Sequence, residues 1–245
     1  MEPLLVHIPY SPWSVRARMA LDAQGVAYRP QAYTPTLSEL GVRWKLGRAR
    51  GRMTLPILFP ADGPPLEDSL DIALWGAARS TRPIVADAER AEVIAWNDAA
   101  SAMLEAGRAR TTVRVTADPE ALRESIPPQI RWMGPIGLAI GRDGGRRLLR
   151  KYGADGRTSE DWLRVMAEGC GRLRSSLAGR EWLLGRFTYA DLTAAIGLSF
   201  VRPHEKAPLG PRSRERWTEP DLAEQYADLL LWRDRVLAHV RALRG

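Results

Sequence analysis

Apolar positions in the first third of the chain switch between strand-like runs and helical spacing. Residues 3–8 are apolar and predict a strand. Pro12 follows at a point where its fixed φ and missing N–H suit the first turn of a helix. Apolar residues spaced along 13–25 predict that helix, which a glycine ends. Residues 26–28 resume strand character, and residues 34–50 are polar and mixed, as in a helix or an irregular segment.

The next apolar run begins with a proline. Leu55-Pro56-Ile57-Leu58-Phe59 predicts a strand, and Ala61-Asp62-Gly63 predicts a tight turn, so residues 56–68 are expected to form a hairpin. A helix is predicted over Ser69–Ala78. The first 78 residues therefore predict the element order β-α-β-(α)-β-β-α.

The rest of the chain has helical spacing without convincing strand alternation. Pro and Gly interrupt it at 127–145 and 203–211. The sequence therefore predicts a first domain over residues 1–78, a polar linker over 79–87 and an all-α domain over 88–245. The predicted helices of that second domain cover 87–107, 117–125, 144–152, 158–178, 188–202 and 219–244.

Composition limits the compartment and the cofactors. No apolar run reaches the ~18–20 residues that would cross a bilayer, and the first residues lack the basic start of a secretory signal. One cysteine, Cys170, excludes an intramolecular disulfide and a multi-cysteine metal site, and we expect it to be a buried small hydrophobe. The three histidines lack metal-ligand spacing. We therefore expect a cytoplasmic protein without a metal.

The formal net charge of +7 raises the possibility of a nucleic-acid partner. The charge is almost all arginine, because only three lysines occur, and the arginines are interleaved with Asp and Glu. This scatter is typical of a solvated surface. We expect neither a nucleic-acid nor a membrane partner.

Candidate chemistry lies in three short motifs of the first domain. Tyr10-Ser11-Pro12-Trp13-Ser14 follows the first strand, Thr54-Leu55-Pro56 precedes another strand, and Glu67-Asp68-Ser69 leads into a helix. In the second domain, Thr188 and Asp191 have the spacing of a helix capping box. In this order the motifs resemble the glutathione transferase superfamily, and its serine-type bacterial members in particular. The resemblance does not extend to residues 108–150 and 203–218.

The resemblance implies a thioredoxin-like α/β domain followed by an all-α domain, glutathione as co-substrate, and a homodimer. It implies a cis Leu55–Pro56 bond, with the Leu55 backbone pairing with the cysteinyl part of glutathione. Ser69 would bind the γ-glutamyl carboxylate, and Asp68 or the preceding Glu67 would bind the γ-glutamyl amino group, although Ser and Asp are also ordinary helix N-cap types. For the glycyl carboxylate, Lys45 is the first choice and Arg52 the second.

The same resemblance makes Ser11 the residue that activates the thiol of glutathione, with Tyr10 and Ser14 as alternatives. A thiol has a pKa near ~8.5, and a hydroxyl that donates to the thiolate lowers this value by roughly one to two units. Ser11 is also a plain N-cap candidate ahead of Pro12. The family's thiol–disulfide exchange activities depend on cysteine at this position, so serine disfavours them.

The electrophile is expected to occupy a mostly apolar pocket between the domains. Candidates for its lining are Trp13, Trp96, Met103 and Leu104. The predicted function is a glutathione transferase that adds the thiolate to a small, largely apolar electrophile. A glutathione-dependent isomerase or lyase, and a non-catalytic binding or assembly module on the same fold, remain as alternatives.

Overall fold

The computed structural model describes residues 2–34, 38–51, 53–153 and 156–244. Its N-terminal part holds a three-stranded mixed sheet with the order β2-β1-β3. The central strand β1 is buried along its whole length. It pairs in parallel with β2 and in antiparallel orientation with β3. The elements here are β1 (Leu4–His7), α1 (Pro12–Ala23), β2 (Arg29–Ala32), α2 (Glu39–Lys45), β3 (Ile57–Phe59) and α3 (Ser69–Ala77).

Two predicted elements of this part differ in detail. The second strand occupies Arg29–Ala32 instead of 26–28. All four of its residues are exposed at the sheet edge, so they carry no apolar signal, while Val26 and Tyr28 pack against the core beside it. The predicted hairpin is reduced to one antiparallel bridge, in which Leu58 and Leu66 exchange two backbone hydrogen bonds of 2.9 Å.

The remainder of the described chain is helical. The long helix α4 packs against α7, α8 and α9, and α1 packs against α9 and α12, which joins the two parts of the molecule. This arrangement confirms the predicted fold class. The helices are α4 (Arg90–Ala117), α5 (Pro119–Ser125), α6 (Pro128–Arg131), α7 (Pro135–Gly153), α8 (Ser159–Leu177), α9 (Tyr189–Gly197), α10 (Pro211–Trp217), α11 (Pro220–Gln225) and α12 (Ala227–Arg244).

The predicted linker, residues 79–87, falls between α3 and α4, and the division into two domains stays a prediction. The prediction missed α10 and extended one helix over 219–244, where Tyr226 separates two helices. Throughout the described ranges, each helix is either too short or too polar to cross a lipid bilayer.

Helix α7 starts nine residues before its predicted beginning at 144, because its glycines were taken for helix breakers. They are contact points instead. A Cβ at Gly137 would lie 2.2 Å from the carbonyl oxygen of Ile130, and one at Gly145 would lie 2.3 Å from Thr116 Cγ2 of α4. Side chains at these positions would therefore push α7 away from its neighbours.

The predicted capping box at the start of α9 is confirmed. The Asp191 carboxylate accepts hydrogen bonds from the backbone N–H groups of Thr188 (2.8 Å) and Leu183 (2.7 Å). All nine residues of α9 are buried, and Asp191 is inaccessible to solvent. The box therefore satisfies backbone donors that water does not reach.

Candidate functional site

The three motifs of the N-terminal part meet in one groove with a volume of ≈ 770 Å³. Its walls are the β1–α1 turn, the residues before β3, the start of α3, and one side of α4. The sequence-predicted residues that line it are Tyr10, Ser11, Trp13, Leu55, Pro56, Asp68 and Ser69. Tyr10 and Ser69, which are 59 positions apart in the chain, are thus brought to one surface.

Ser11 stands at the N-cap position of α1 with extended backbone angles, but its side chain makes no capping hydrogen bond. Pro12 occupies the first helical position, where the missing N–H is one that a helix leaves without an internal partner anyway. The hydroxyl of Ser11 therefore belongs to the groove and not to the helix. Tyr10 also lines the groove, with a side chain that is 40% exposed. The third alternative, Ser14, is fully buried and accepts a hydrogen bond from the Ile8 N–H at 3.1 Å, outside the groove lining.

The bond between Leu55 and Pro56 is cis, as predicted. The Thr54 hydroxyl donates to the backbone carbonyl of Glu67 at 3.3 Å, so the turn before β3 is tied to the turn before α3. Glu67 itself forms an ion pair with Arg48. This pairing leaves Asp68, and not Glu67, as the nearer candidate for binding an amino group.

Asp68 caps α3 by accepting a hydrogen bond from the Leu70 N–H at 2.7 Å, and its side chain stays exposed. Asp71, one turn further on, also lines the groove. Burial, followed by the negative charge of Asp68, raises the pKa of Asp71. Two neighbouring carboxyl groups at this end of the groove favour a cationic group of a ligand. The sequence pattern pointed to Asp68, with Glu67 as the alternative, and did not indicate Asp71.

Arg16 lies directly behind Ser69 and was missed by the sequence reasoning. It is 1% exposed, and its Nε donates to Ser69 Oγ at 3.1 Å. Its Nη1 donates to Thr193 Oγ1 of α9 at 2.7 Å and to Ser101 Oγ of α4 at 3.3 Å. These partners are all neutral hydroxyls, and within the described residues Arg16 has no ion pair with a carboxylate. A buried guanidinium without an anionic partner is costly, so an anion bound at Ser69 would be stabilised by it.

The predicted cations for a glycyl carboxylate are placed differently. Lys45 is exposed at the end of α2 and does not line the groove, whereas Arg48, three residues further on, does. The short helix α2 ends at Lys45, so the following turn carries Arg48 towards the groove. Arg52 lies outside the described residues.

The predicted electrophile pocket needs correction. Trp13 lines the groove, but Trp96, Met103 and Leu104 are 9%, 4% and 0% exposed and belong to the helical core. They sit on the face of α4 that packs against α8 and α9. For example, a Cβ at Gly169 of α8 would lie 2.5 Å from the Met103 side chain.

A smaller cavity of ≈ 240 Å³ adjoins the groove and is enclosed by α4, α5, α7 and α10. Tyr10, Arg108 and Leu148 line both spaces. The Arg108 guanidinium lies 5.2 Å from the ring centre of Phe200 and 5.3 Å from that of Trp217. No pattern in the sequence predicts this cavity, since it depends on how α7 packs.

Cys170 is fully buried on α8, and burial raises the pKa of its thiol to about 12. This confirms the expectation that it is an unreactive core residue. Among the described residues, no three metal-ligating side chains come together.

The fold is that of the glutathione transferases, in which a thioredoxin-like part precedes a helical part. Residues 5–80 match the family model of the glutathione S-transferase N-terminal domain. The N-terminal part of the chain is therefore a glutathione S-transferase N-terminal domain, and this match supports membership of the glutathione transferase superfamily.

Solved structures share the fold at low sequence identity. A glutathione S-transferase of Ceriporiopsis subvermispora in complex with glutathione is 19% identical, with a TM-score of 0.62 over 100% of this chain and 98% of that one. A β-etherase of Sphingobium sp. strain SYK-6 is 15% identical, with a TM-score of 0.61 over 99% and 98%. A glutathione S-transferase domain-containing protein of Marinobacter aquaeolei is 22% identical, with a TM-score of 0.60 over 99% and 100%. No curated protein matches the chain.

Proposed function

We propose that this protein binds glutathione in the groove and transfers its thiolate to a small electrophile held in the adjoining cavity. The single observation that carries the proposal is that Arg16, which donates a hydrogen bond to Ser69, is buried without a carboxylate partner among the described residues. The γ-glutamyl carboxylate of glutathione is an anion suited to the start of α3, where helix N–H groups and the helix dipole also favour negative charge. Asp68, with Asp71 beside it, suits the γ-glutamyl amino group.

At the other end of the ligand, the backbone of Leu55 faces the cysteinyl part of glutathione. The glycyl carboxylate lies beside Arg48, whose guanidinium also pairs with Glu67, in place of Lys45. Arg52 stays a proposal from the sequence alone. This orientation brings the thiol to Ser11 at the start of α1.

Ser11 then acts as a hydrogen-bond donor and not as a nucleophile. A hydrogen bond to a charged acceptor contributes ~1.5–3 kcal/mol, which lowers the pKa of the thiol by roughly one to two units. The start of α1 adds ~0.3–1 kcal/mol through its dipole. The thiolate sulfur attacks the electrophilic carbon, the bond to the leaving group breaks with its electron pair, and a thioether of glutathione is formed.

Tyr10, Arg108 and Leu148 line both the groove and the adjoining cavity, and Trp13 lies on the groove side, so we assign the electrophile to that boundary. The apolar part of the substrate would replace water among Val115, Leu122 and Ile126. The same thiolate attack would serve cleavage of an aryl ether, as the named activity of the similar Sphingobium protein suggests. Ether cleavage is therefore the second candidate reaction.

Calorimetry with glutathione, followed by a panel of activated aryl halides, epoxides and β-aryl ethers, tests the proposal. We expect saturable glutathione binding and a glutathione-dependent loss of at least one electrophile class. Binding without turnover on any of them would favour the non-catalytic module. Absence of glutathione binding would contradict the whole proposal.

Arg16→Lys is expected to raise the KM for glutathione about tenfold while changing kcat little. A lysine keeps the charge but lacks the planar fork that reaches Ser69, Thr193 and Ser101 together. Steady-state kinetics at varied glutathione concentration measure the effect. Arg90→Lys is the matched control, because Arg90 pairs with Asp87 at an exposed site far from the groove lining. A fall in kcat at unchanged KM would contradict this role for Arg16.

We also propose that the protein is a cytoplasmic homodimer. Large apolar side chains that are exposed in the single chain support dimerisation, among them Trp44 on α2, Trp132 after α6 and Ile136 on α7, which are 81%, 81% and 62% exposed. Sedimentation velocity at micromolar concentration is expected to give the mass of two chains. A single-chain mass at that concentration would contradict the proposal.

A further inference from the structure

One wall of the cavity beside the groove is formed by α10 and the residues just before it. Residues 208–210 and Ser213 line this wall, in a part of the chain that did not resemble the family. The Glu124 carboxylate of α5 accepts hydrogen bonds from the backbone N–H groups of Ser213 (2.6 Å) and Arg212 (3.2 Å). The Asp118 carboxylate accepts another from Arg212 Nε at 2.7 Å. These contacts fix α10 to α5, so the wall of the cavity is preformed.

The interior of this cavity favours an apolar ligand group. Hydroxyl groups in its lining already donate to backbone carbonyl oxygens, at 2.7 Å for Thr112, 2.7 Å for Thr116 and 2.8 Å for Ser125. Val115 and Ile126 add aliphatic surface. A polar group placed among these side chains would lose its hydrogen bonds to water and find few replacements, so an apolar body is the better occupant.

The volume of ≈ 240 Å³ limits the size of that body. Sites for drug-sized ligands span about 300–1,000 Å³, so this cavity suits a smaller molecule. Close packing of α7 keeps it small. A Cβ at Gly145 would lie 2.3 Å from Thr116 Cγ2, and one at Gly141 would lie 2.6 Å from Ile126 Cγ2. A single ring or a short branched chain therefore matches the space.

Arg108 is the one cationic side chain in the described lining of this cavity, and it lines the groove as well. Its guanidinium lies 5.8 Å from the ring centre of Trp13, in addition to its contacts with Phe200 and Trp217. Aromatic rings within about 6 Å attract a cation, so these rings hold Arg108 between the two spaces. Glu105, one turn earlier on α4, is exposed, and water weakens its attraction for Arg108. Arg108 thus brings a positive charge to the place where groove and cavity meet.

We propose that the electrophile is a small carboxylic acid whose carboxylate binds Arg108. Its apolar body, one ring or a short branched chain, enters the adjoining cavity, and its reactive carbon stays on the groove side, next to the thiolate of glutathione. A guanidinium binds a carboxylate through paired hydrogen bonds of defined geometry, so Arg108 both selects the substrate and orients it. This inference rests on the proposed binding of glutathione in the groove.

The test compares two glutathione conjugates of nearly equal size by calorimetry, S-(4-carboxyphenyl)glutathione and its neutral analogue S-(4-carbamoylphenyl)glutathione. Each joins glutathione to a single ring, so each can fill the groove and the cavity together. We expect the carboxylate conjugate to bind at least about tenfold more tightly than the amide. Equal affinity, or tighter binding of the amide, would overturn the proposal.

S-methylglutathione, which lacks the ring, separates this inference from the proposed function. If it binds while the two conjugates bind equally or not at all, the groove still binds glutathione and only the role of Arg108 is wrong. If neither S-methylglutathione nor either conjugate binds, the proposed function and this inference both fail.

Variants then locate the carboxylate. Arg108→Gln is expected to reduce the preference for the carboxylate conjugate to less than about twofold, because the amide carries no charge. Arg108→Lys keeps the charge without the planar fork and should retain part of the preference. Arg146→Gln is the matched control, since Arg146 is exposed on α7 and lies outside the lining of both spaces. A full preference in a folded Arg108→Gln, or an equal loss in Arg146→Gln, would show that Arg108 does not bind the carboxylate.

Discussion

Replacing Ser11 with alanine is expected to lower kcat/KM for thiolate transfer roughly 10- to 150-fold, the equivalent of a lost charged hydrogen bond of ~1.5–3 kcal/mol. The structure makes this test clean, because the Ser11 side chain caps no helix and its removal leaves α1 with Pro12 at its first position. The loss should be largest below the ~8.5 pKa of the free thiol and should shrink above it, where glutathione ionises unaided. Initial rates over a range of pH measure both features.

Three companion variants interpret that loss. Ser11→Thr keeps a hydroxyl and should retain most of the activity. Ser175→Ala removes an exposed serine of α8 and serves as the control for the substitution type. If Tyr10→Phe lowered kcat/KM and Ser11→Ala did not, the phenol would be the donor and the assignment to Ser11 would be wrong.

The second large effect concerns stability. Asp191→Ala is expected to lower the free energy of unfolding by about 2–4 kcal/mol, since it removes a capping box and leaves the N–H groups of Leu183 and Thr188 unpaired in the core. Denaturant titration should show a lower midpoint at an unchanged slope.

The chain provides its own control for this prediction. Thr158 and Asp161 form the same box at the start of α8, where the Thr158 N–H donates to the Asp161 carboxylate at 2.9 Å, but there Thr158 is exposed and the Asp161 side chain is 30% exposed. Water can replace the carboxylate there, so Asp161→Ala should cost no more than about 1 kcal/mol. Equal costs at the two boxes would show that burial is not the cause.

The sequence predicted the parts of the fold that depend on local signals. Pro12 marked the start of α1, Gly25 its end, and the capping residues Thr188 and Asp191 the start of α9. Each of these signals acts through the backbone of its own turn, so it is readable without knowledge of the neighbours.

Signals that depend on tertiary contacts were misread. The glycines of α7 looked like helix breakers, although Gly137 and Gly145 are required by close contacts with Ile130 and Thr116. The edge strand β2 carried no apolar pattern because both its faces are exposed.

In the candidate site too, residues marked by local signals were predicted correctly, and residues that depend on tertiary packing were not. The residues of the three motifs lie at turns and helix starts and do line one groove. On α4, apolarity suggested Met103 and Leu104 for the substrate pocket, but the apolar face turned out to be the core face. The charged residues Glu105 and Arg108 line the groove instead. Nothing in the sequence distinguishes Arg16 from the other arginines. Its role is visible only in the structure, where it is buried and donates hydrogen bonds to Ser69 and Thr193.

The most direct test of the account is the ionisation of bound glutathione. The absorbance of the thiolate, titrated against pH with the wild-type protein and with Ser11→Ala, reports the pKa of the bound thiol. We expect a pKa roughly one to two units below ~8.5 in the wild type and a return towards ~8.5 in the variant. A bound thiol that titrates at the same pH in both proteins would contradict it.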